Sequence, residues 1–410
     1  MCLALTGCRS GASTPPEPPT AEALASADAA TRTRLTQTVL DEVIRAIGAR
    51  DRTAFRSLVS NRDHAFGSRA EMIFDNLTVL PLTTLRLTAR PRFGILPAGR
   101  QRELGRVGWV QEVALSWQLP ADPVPAEHTV WLTMVTEGHE TRLAATTDIP
   151  DSRVQPEPLP LWWLEPIRVE RTPKAMALVS EALPGNRWGK SANAVVTKIR
   201  PAIAGVARGW SGRLVVQVPG SPEAFEQVLG APGGSVDHIA AVTRADGRNP
   251  ATAPIRIVVN PVASGKLTEV GVSVLLAHEA THAATHSVDS PAPAWAIEGL
   301  ADHVAYTAYP DARQAASAPL EAQVRTGRVP RALPEDERFR ASQKHIDLAY
   351  AEAWLACDYV AEKYSSRQLN QLYRQLDRGR TLDQAVRSVL NVSTEEFVEG
   401  WRRYLSSLGS

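Results

Sequence analysis

Apolar residues recur at four-residue steps early in the chain: Leu35, Val39, Val43 and Ile47 would line one face of a helix that starts near Thr31 and is closed by Gly48. Shorter helical patterns follow over residues 53–60 and 69–77. The period then shortens to two. Alternating apolar and polar positions over 84–89, 109–119, 129–136 and 141–147 predict strands. Helices followed by an antiparallel meander describe an α+β unit over residues 31–150. His64, His128 and His139 are scattered through it and read as surface or turn residues rather than ligands.

A proline-rich join follows over residues 151–171, with Pro156, Pro158 and Pro160 alternating. Its Trp162-Trp163 pair reads as a plug at a domain interface rather than a ligand contact. Beyond the join the pattern becomes that of a small mixed sheet. Strands are predicted over 175–180, 214–218, 239–242 and 255–259, with an amphipathic helix over 192–210 that Pro201 kinks. Pro254 and Pro261 flank the 255–259 run, which suits an edge or terminal strand. From Leu267 onward everything reads as helical. Thr381 with Gln384, and Ser393 with Glu396, have capping-box spacing and mark the last two helix starts.

Composition narrows the function classes. Across 410 residues, 45 basic side chains balance 44 acidic ones, so a basic groove for nucleic acid is not favoured. The 44% of hydrophobic residues suffices for a sizeable core, yet no apolar run is long enough for a spanning helix. Three cysteines make no disulfide framework, and Cys357 falls in an apolar helical stretch as a buried, inert thiol. At the start, Leu5-Thr6-Gly7-Cys8 resembles a bacterial lipoprotein lipobox, which implies lipidation of the Cys8 thiol followed by cleavage just before it, residues 1–8 being the signal remnant. Residues 9–30, rich in Ser, Thr, Pro and Ala, read as a disordered tether that lets an anchored domain stand clear of a bilayer.

Candidate chemistry concentrates in one place: four of nine histidines fall between positions 278 and 303. His278-Glu279-Ala280-Thr281-His282 is an H-E-x-x-H whose imidazoles sit one turn apart on one helix face, in reach of one metal ion. Glu279 lies beside them, placed to take a proton from a metal-bound water. The alternative is a satisfied polar helix face. His286 continues the four-residue step, but eight residues of helix place it ~12 Å along the axis from His278, too far to share an ion. Pro293-Ala-Trp295-Ala-Ile-Glu298-Gly299-Leu-Ala-Asp302-His303 offers a better third ligand. Pro293 suits a first helical position, and Glu298 and Asp302 share a face. Gly299 would let two helices approach closely, and Asp302 can accept the free ring N–H of a liganding histidine.

HEATH followed by W-A-I-E-G-L-A-D-H resembles the gluzincin metallopeptidases, specifically the bacterial peptidase-MA-like domains, over roughly residues 172–408. That resemblance implies a gluzincin domain over 172–410, Zn2+ on His278, His282 and Glu298, Glu279 as general base, and Asp302 behind a zinc histidine. Tyr350 resembles the family's downstream tyrosine, which would donate to the oxyanion; its alternative is a core aromatic, and His303, His345 and Tyr306 are rivals for the role. The 31–150 unit looks like the cone-shaped NTF2-like fold. The chain as a whole is therefore expected to be α+β, with N-terminal helices and an antiparallel sheet before a gluzincin-like domain that is mainly helical at its C-terminal end. Two function classes follow: a zinc peptidase acting on peptide or protein, lipid-anchored on the extracytoplasmic face of a bacterial cell membrane, or a binding lipoprotein that keeps the fold without turnover. The intact Glu279 favours the first.

Overall fold

The computed structural model describes residues 29–104, 108–149, 157–207, 209–231, 239–340 and 343–408. Cys8, the lipobox, the tether up to residue 28 and residues 150–156 of the join lie outside them. The described residues form two compact units. Among the described residues, one comprises 29–68, 87–104, 108–113 and 130–149, and the other 69–86, 114–129, 157–207, 209–231, 239–340 and 343–408.

The chain begins with α1 (Ala29–Ala49), α2 (Arg52–Ser57), α3 (His64–Val79), β1 (Thr84–Ile95), α4 (Ala98–Leu104), β2 (Gly108–Gln118), β3 (Ala126–Glu137) and β4 (Glu140–Ala145). Its strands follow one another in sheet order β1-β2-β3-β4, the meander that the alternation predicts. The buried face of α1 carries Val39, Val43 and Ile47, as the four-residue step requires. Its end differs from the expectation. Gly48 stays helical, and the left-handed residue is Arg50 at φ 54°. Asp51 fixes the bend by accepting the Ala54 N–H at the start of α2, so no glycine is needed there.

The second stretch opens with α5 (Leu161–Leu164), β5 (Ile167–Arg171), β6 (Ala175–Ser180), α6 (Trp188–Ile203), β7 (Leu214–Val218), α7 (Pro222–Leu229), β8 (Ala241–Ala245), β9 (Ile255–Val259) and α8 (Pro261–Gly265). The five strands form a sheet in the order β5-β6-β7-β9-β8. The pairs β6/β7 and β7/β9 are parallel, and β5/β6 and β8/β9 antiparallel. This corrects the edge assignment: β9 is interior, and β8 is the edge. Pro254 and Pro261 fall just outside the paired span, so neither removes a ladder donor. Trp162 and Trp163 are buried, Trp162 edge-on to Trp117 at 5.8 Å.

Helices complete the chain: α9 (Glu269–Thr285), α10 (Ala294–Ala308), α11 (Arg313–Arg325), α12 (Ile346–Lys363), α13 (Ser366–Leu376), α14 (Leu382–Leu390) and α15 (Thr394–Leu408). Both expected capping boxes form, at Thr381/Gln384 and Ser393/Glu396. Val195 and Ile199 of α6 and Leu276 and Ala280 of α9 share one core with Val216 of β7 and Ile257 of β9. That packing seats α9, the HEATH helix, on the sheet. Gly299 of α10 meets α12 rather than α9: a Cβ there would lie 2.4 Å from the Ala353 carbonyl oxygen and 2.9 Å from Cys357 Sγ. Cys357 is buried and unpaired, with its thiol pushed up by burial beside Asp358 and Asp302.

Candidate metal centre

Thr268 caps α9 by accepting the Gly271 N–H, and from there the helix carries His278, Glu279 and His282 beside the sheet. Chain reversal through His286 (φ 57°) and a short 3₁₀ turn brings α10 back against it. Pro293 is the residue before the first helical turn of α10 rather than within it. The Ala294 N–H is satisfied instead by Asp336 Oδ1 at 2.8 Å.

Three donor atoms converge. His278 Nε2 and His282 Nε2 are 2.9 Å apart, and Glu298 Oε2 lies 3.1 and 3.3 Å from them. The far side of each ring is held. Asp302 Oδ1 is 2.8 Å from His278 Nδ1, and a carboxylate only accepts, so Nδ1 carries the proton. Ser287 Oγ is 3.0 Å from His282 Nδ1 and can accept in the same way. Both rings then turn an Nε2 lone pair toward the carboxylate. Three electron-rich atoms this close repel unless an electron-pair acceptor sits among them. A tetrahedral ion with bonds of ~2.0–2.1 Å spaces its ligands ~3.3 Å apart, so the donor set fits zinc in both chemistry and spacing. Among the described residues, this is the one group of three such side chains that could share an ion.

A proton is the competing acceptor. Burial alone would drive His278 toward neutrality, but the Asp302 and Glu298 carboxylates outweigh it and raise its pKa well above the usual imidazole value. Burial would likewise raise Glu298. The two imidazoles reverse that and hold its carboxyl well below the usual carboxylate range.

Glu279 is held from the sheet edge. Its Oε2 accepts a 2.6 Å hydrogen bond from Thr243 Oγ1 on β8. The sequence reading missed Thr243 and Ser287; a hydroxyl just past the end of the HEATH helix was the available signal for Ser287. Tyr350 on α12 stands with its ring 6.1 Å from that of His278 and edge-on to Phe339 at 5.4 Å. Burial, with Glu298 and Asp302 nearby, raises its pKa and keeps it a proton donor.

The rivals are placed elsewhere or otherwise engaged. His303 Nδ1 bonds Asp358, which also holds Arg313, and His345 is exposed at the start of α12. Tyr306 lines the same cavity as Tyr350 but packs on Trp354 at 4.5 Å between ring centroids. His286 lines a separate cavity with Trp210 and Arg213. His64 and His139 are exposed as expected, whereas His128 is buried, a correction. It sits 3.3 Å from Asp246, which bonds Arg256, itself doubly bonded to Asp122. The Arg256 guanidinium between the carboxylates of Asp246 and Asp122 explains how these charges tolerate burial.

Residues 251–407 match a family model described as the Peptidase MA superfamily, and this supports a gluzincin-like peptidase domain over that segment. It contains the triad, Glu279 and Tyr350, but begins after β8 and Thr243. No curated protein matches the chain.

Proposed function

We propose that this protein is a zinc-dependent peptidase that hydrolyses peptide bonds, anchored through lipid on Cys8 at the extracytoplasmic face of a bacterial cell membrane. One observation carries the catalytic part: Asp302 and Ser287 hold the far sides of the His278 and His282 rings, and their Nε2 atoms converge with Glu298 Oε2 on a common point. The lipobox and tether support the anchoring. An NTF2-like reading of residues 31–150 rests on their helix-then-meander order.

When bound at the triad, zinc supplies Lewis acidity, which makes a water acidic and polarises a carbonyl. The protein's own groups do the rest. Glu279 accepts the water's proton as general base and later delivers it to the leaving amine. Thr243 holds one carboxylate oxygen of Glu279, leaving the other for that proton. Tyr350, kept protonated, donates to the oxyanion that develops on the substrate. Asp302 and Ser287 keep the histidines in the tautomer that can hold the ion.

Metal content tests the ligand set. Purified protein should carry one zinc per chain by mass spectrometry, lost in His278→Ala and His282→Ala and weakened in Glu298→Ala. His286→Ala should leave it in place. If His286→Ala strips the metal while Glu298→Ala keeps it, the assignment is wrong.

A further inference from the structure

The cavity that opens beside His278 and Glu279 has a volume of about 650 Å3, within the ~300–1,000 Å3 of sites that enclose an organic ligand. Away from the triad its walls are apolar. Val274 and Leu275 of α9 form one wall and Trp354 of α12 another. The third wall is formed by Ala316 of α11 and by Ala312 just ahead of that helix, which face the space with nothing beyond a Cβ. Room is left there for a side chain supplied from outside.

Charge selects among occupants. The cavity is lined by the carboxylates of Glu279, Asp302 and Asp347, and among the described lining residues there is no Lys or Arg. Arg313, beside Ala312 in sequence, is held on Asp358 and lies over the Trp354 ring at 5.1 Å. Away from the triad, a substrate carboxylate placed here would be desolvated among like charges with no Lys or Arg to pair it. An apolar side chain has no such penalty and gains from the burial. Ala241, on the edge strand β8, also lines the space, so a peptide backbone following that edge would bring its side chains to it.

We propose that this cavity binds a bulky apolar side chain of the cleaved peptide next to the scissile bond and rejects a free C-terminal carboxylate, so that the chain is not cut from its carboxyl end. The inference rests on the peptidase reading above.

Its first test measures binding without turnover. Full-length, zinc-loaded Glu279→Gln protein is titrated by calorimetry with dipeptide hydroxamates carrying Leu, Phe or Gly at the residue next to the hydroxamate. The Leu and Phe probes should bind at least ~10-fold tighter than the Gly probe, the scale at which an apolar pocket discriminates. Adding Ala316→Phe should abolish that difference with zinc still at one per chain. Ala312→Leu serves the same purpose if Ala316→Phe fails to fold. Equal binding of all three probes, or a Leu preference that survives the filling substitutions, overturns the proposal. With the parent protein, amidated and free-acid forms of a peptide should be cleaved alike, and a requirement for a free C-terminal carboxylate overturns it as well. Selective binding with no cleavage of any peptide supports the cavity while contradicting the peptidase reading.

Discussion

A proton and a metal ion compete for the same lone pair on His278. In the metal-free protein the Asp302 and Glu298 carboxylates raise its pKa, so the ring stays protonated through the range where a free imidazole has already lost its charge. Zinc must displace that proton. Below the raised pKa each unit of acidification should weaken the apparent zinc affinity about tenfold, and above it the dependence should vanish. Competition against a chromophoric chelator between about pH 6 and about pH 9 checks this. A zinc affinity already independent of pH near pH 7 would contradict it. At this scale the His278/His282 and Glu298/Asp302 pairs were legible because i,i+4 spacing is a local property of a helix. Thr243 was not, since it lies 36 positions before Glu279 and meets it only through the placement of a strand. Ser287 escaped for a smaller reason: its hydroxyl reaches back to His282 because His286 takes a left-handed conformation.

Among the elements, α10 and α12 fix the distance from Glu298 to Tyr350, and at Gly299 the backbone of α12 leaves no room for a Cβ. A methyl there would overlap the Ala353 carbonyl, which sits in a helix and cannot swing aside. Gly299→Ala should therefore destabilise the protein by about 1–3 kcal/mol or more and lower zinc affinity, because Glu298 is the preceding residue. Thermal unfolding with and without a chelator measures both effects, and an unchanged Tm would contradict the packing described. Sequence pattern identified the HEATH helix, four of the five strands of the mixed sheet and both capping boxes, all of which depend on near neighbours. It misplaced β9 at the edge, because strand order is decided by pairing partners distant in the chain. It also passed over α7, eight residues held by Ser221 at one end and Gly230 at the other, too short for its periodicity to stand out.

For the whole molecule, the α+β architecture was readable from the order of the patterns along the chain, with a meander ahead of a mixed sheet and a helical end. The family match covers residues 251–407 and thus omits the edge strand that steadies the proposed base. Catalysis, on this account, needs more of the chain than the matched segment. Among the described residues no helix is long and apolar enough to cross a membrane, so none of these elements anchors the protein as a spanning helix. Glu279 ties these levels together, since it adjoins a ligand without being one and is held from outside the matched segment. The decisive measurement compares zinc content and peptide cleavage in full-length parent and Glu279→Gln protein. One zinc per chain should remain in both, with cleavage reduced at least ~10²-fold in the variant as a lost general base requires; full cleavage by Glu279→Gln, on a peptide that the parent also cuts, would contradict it.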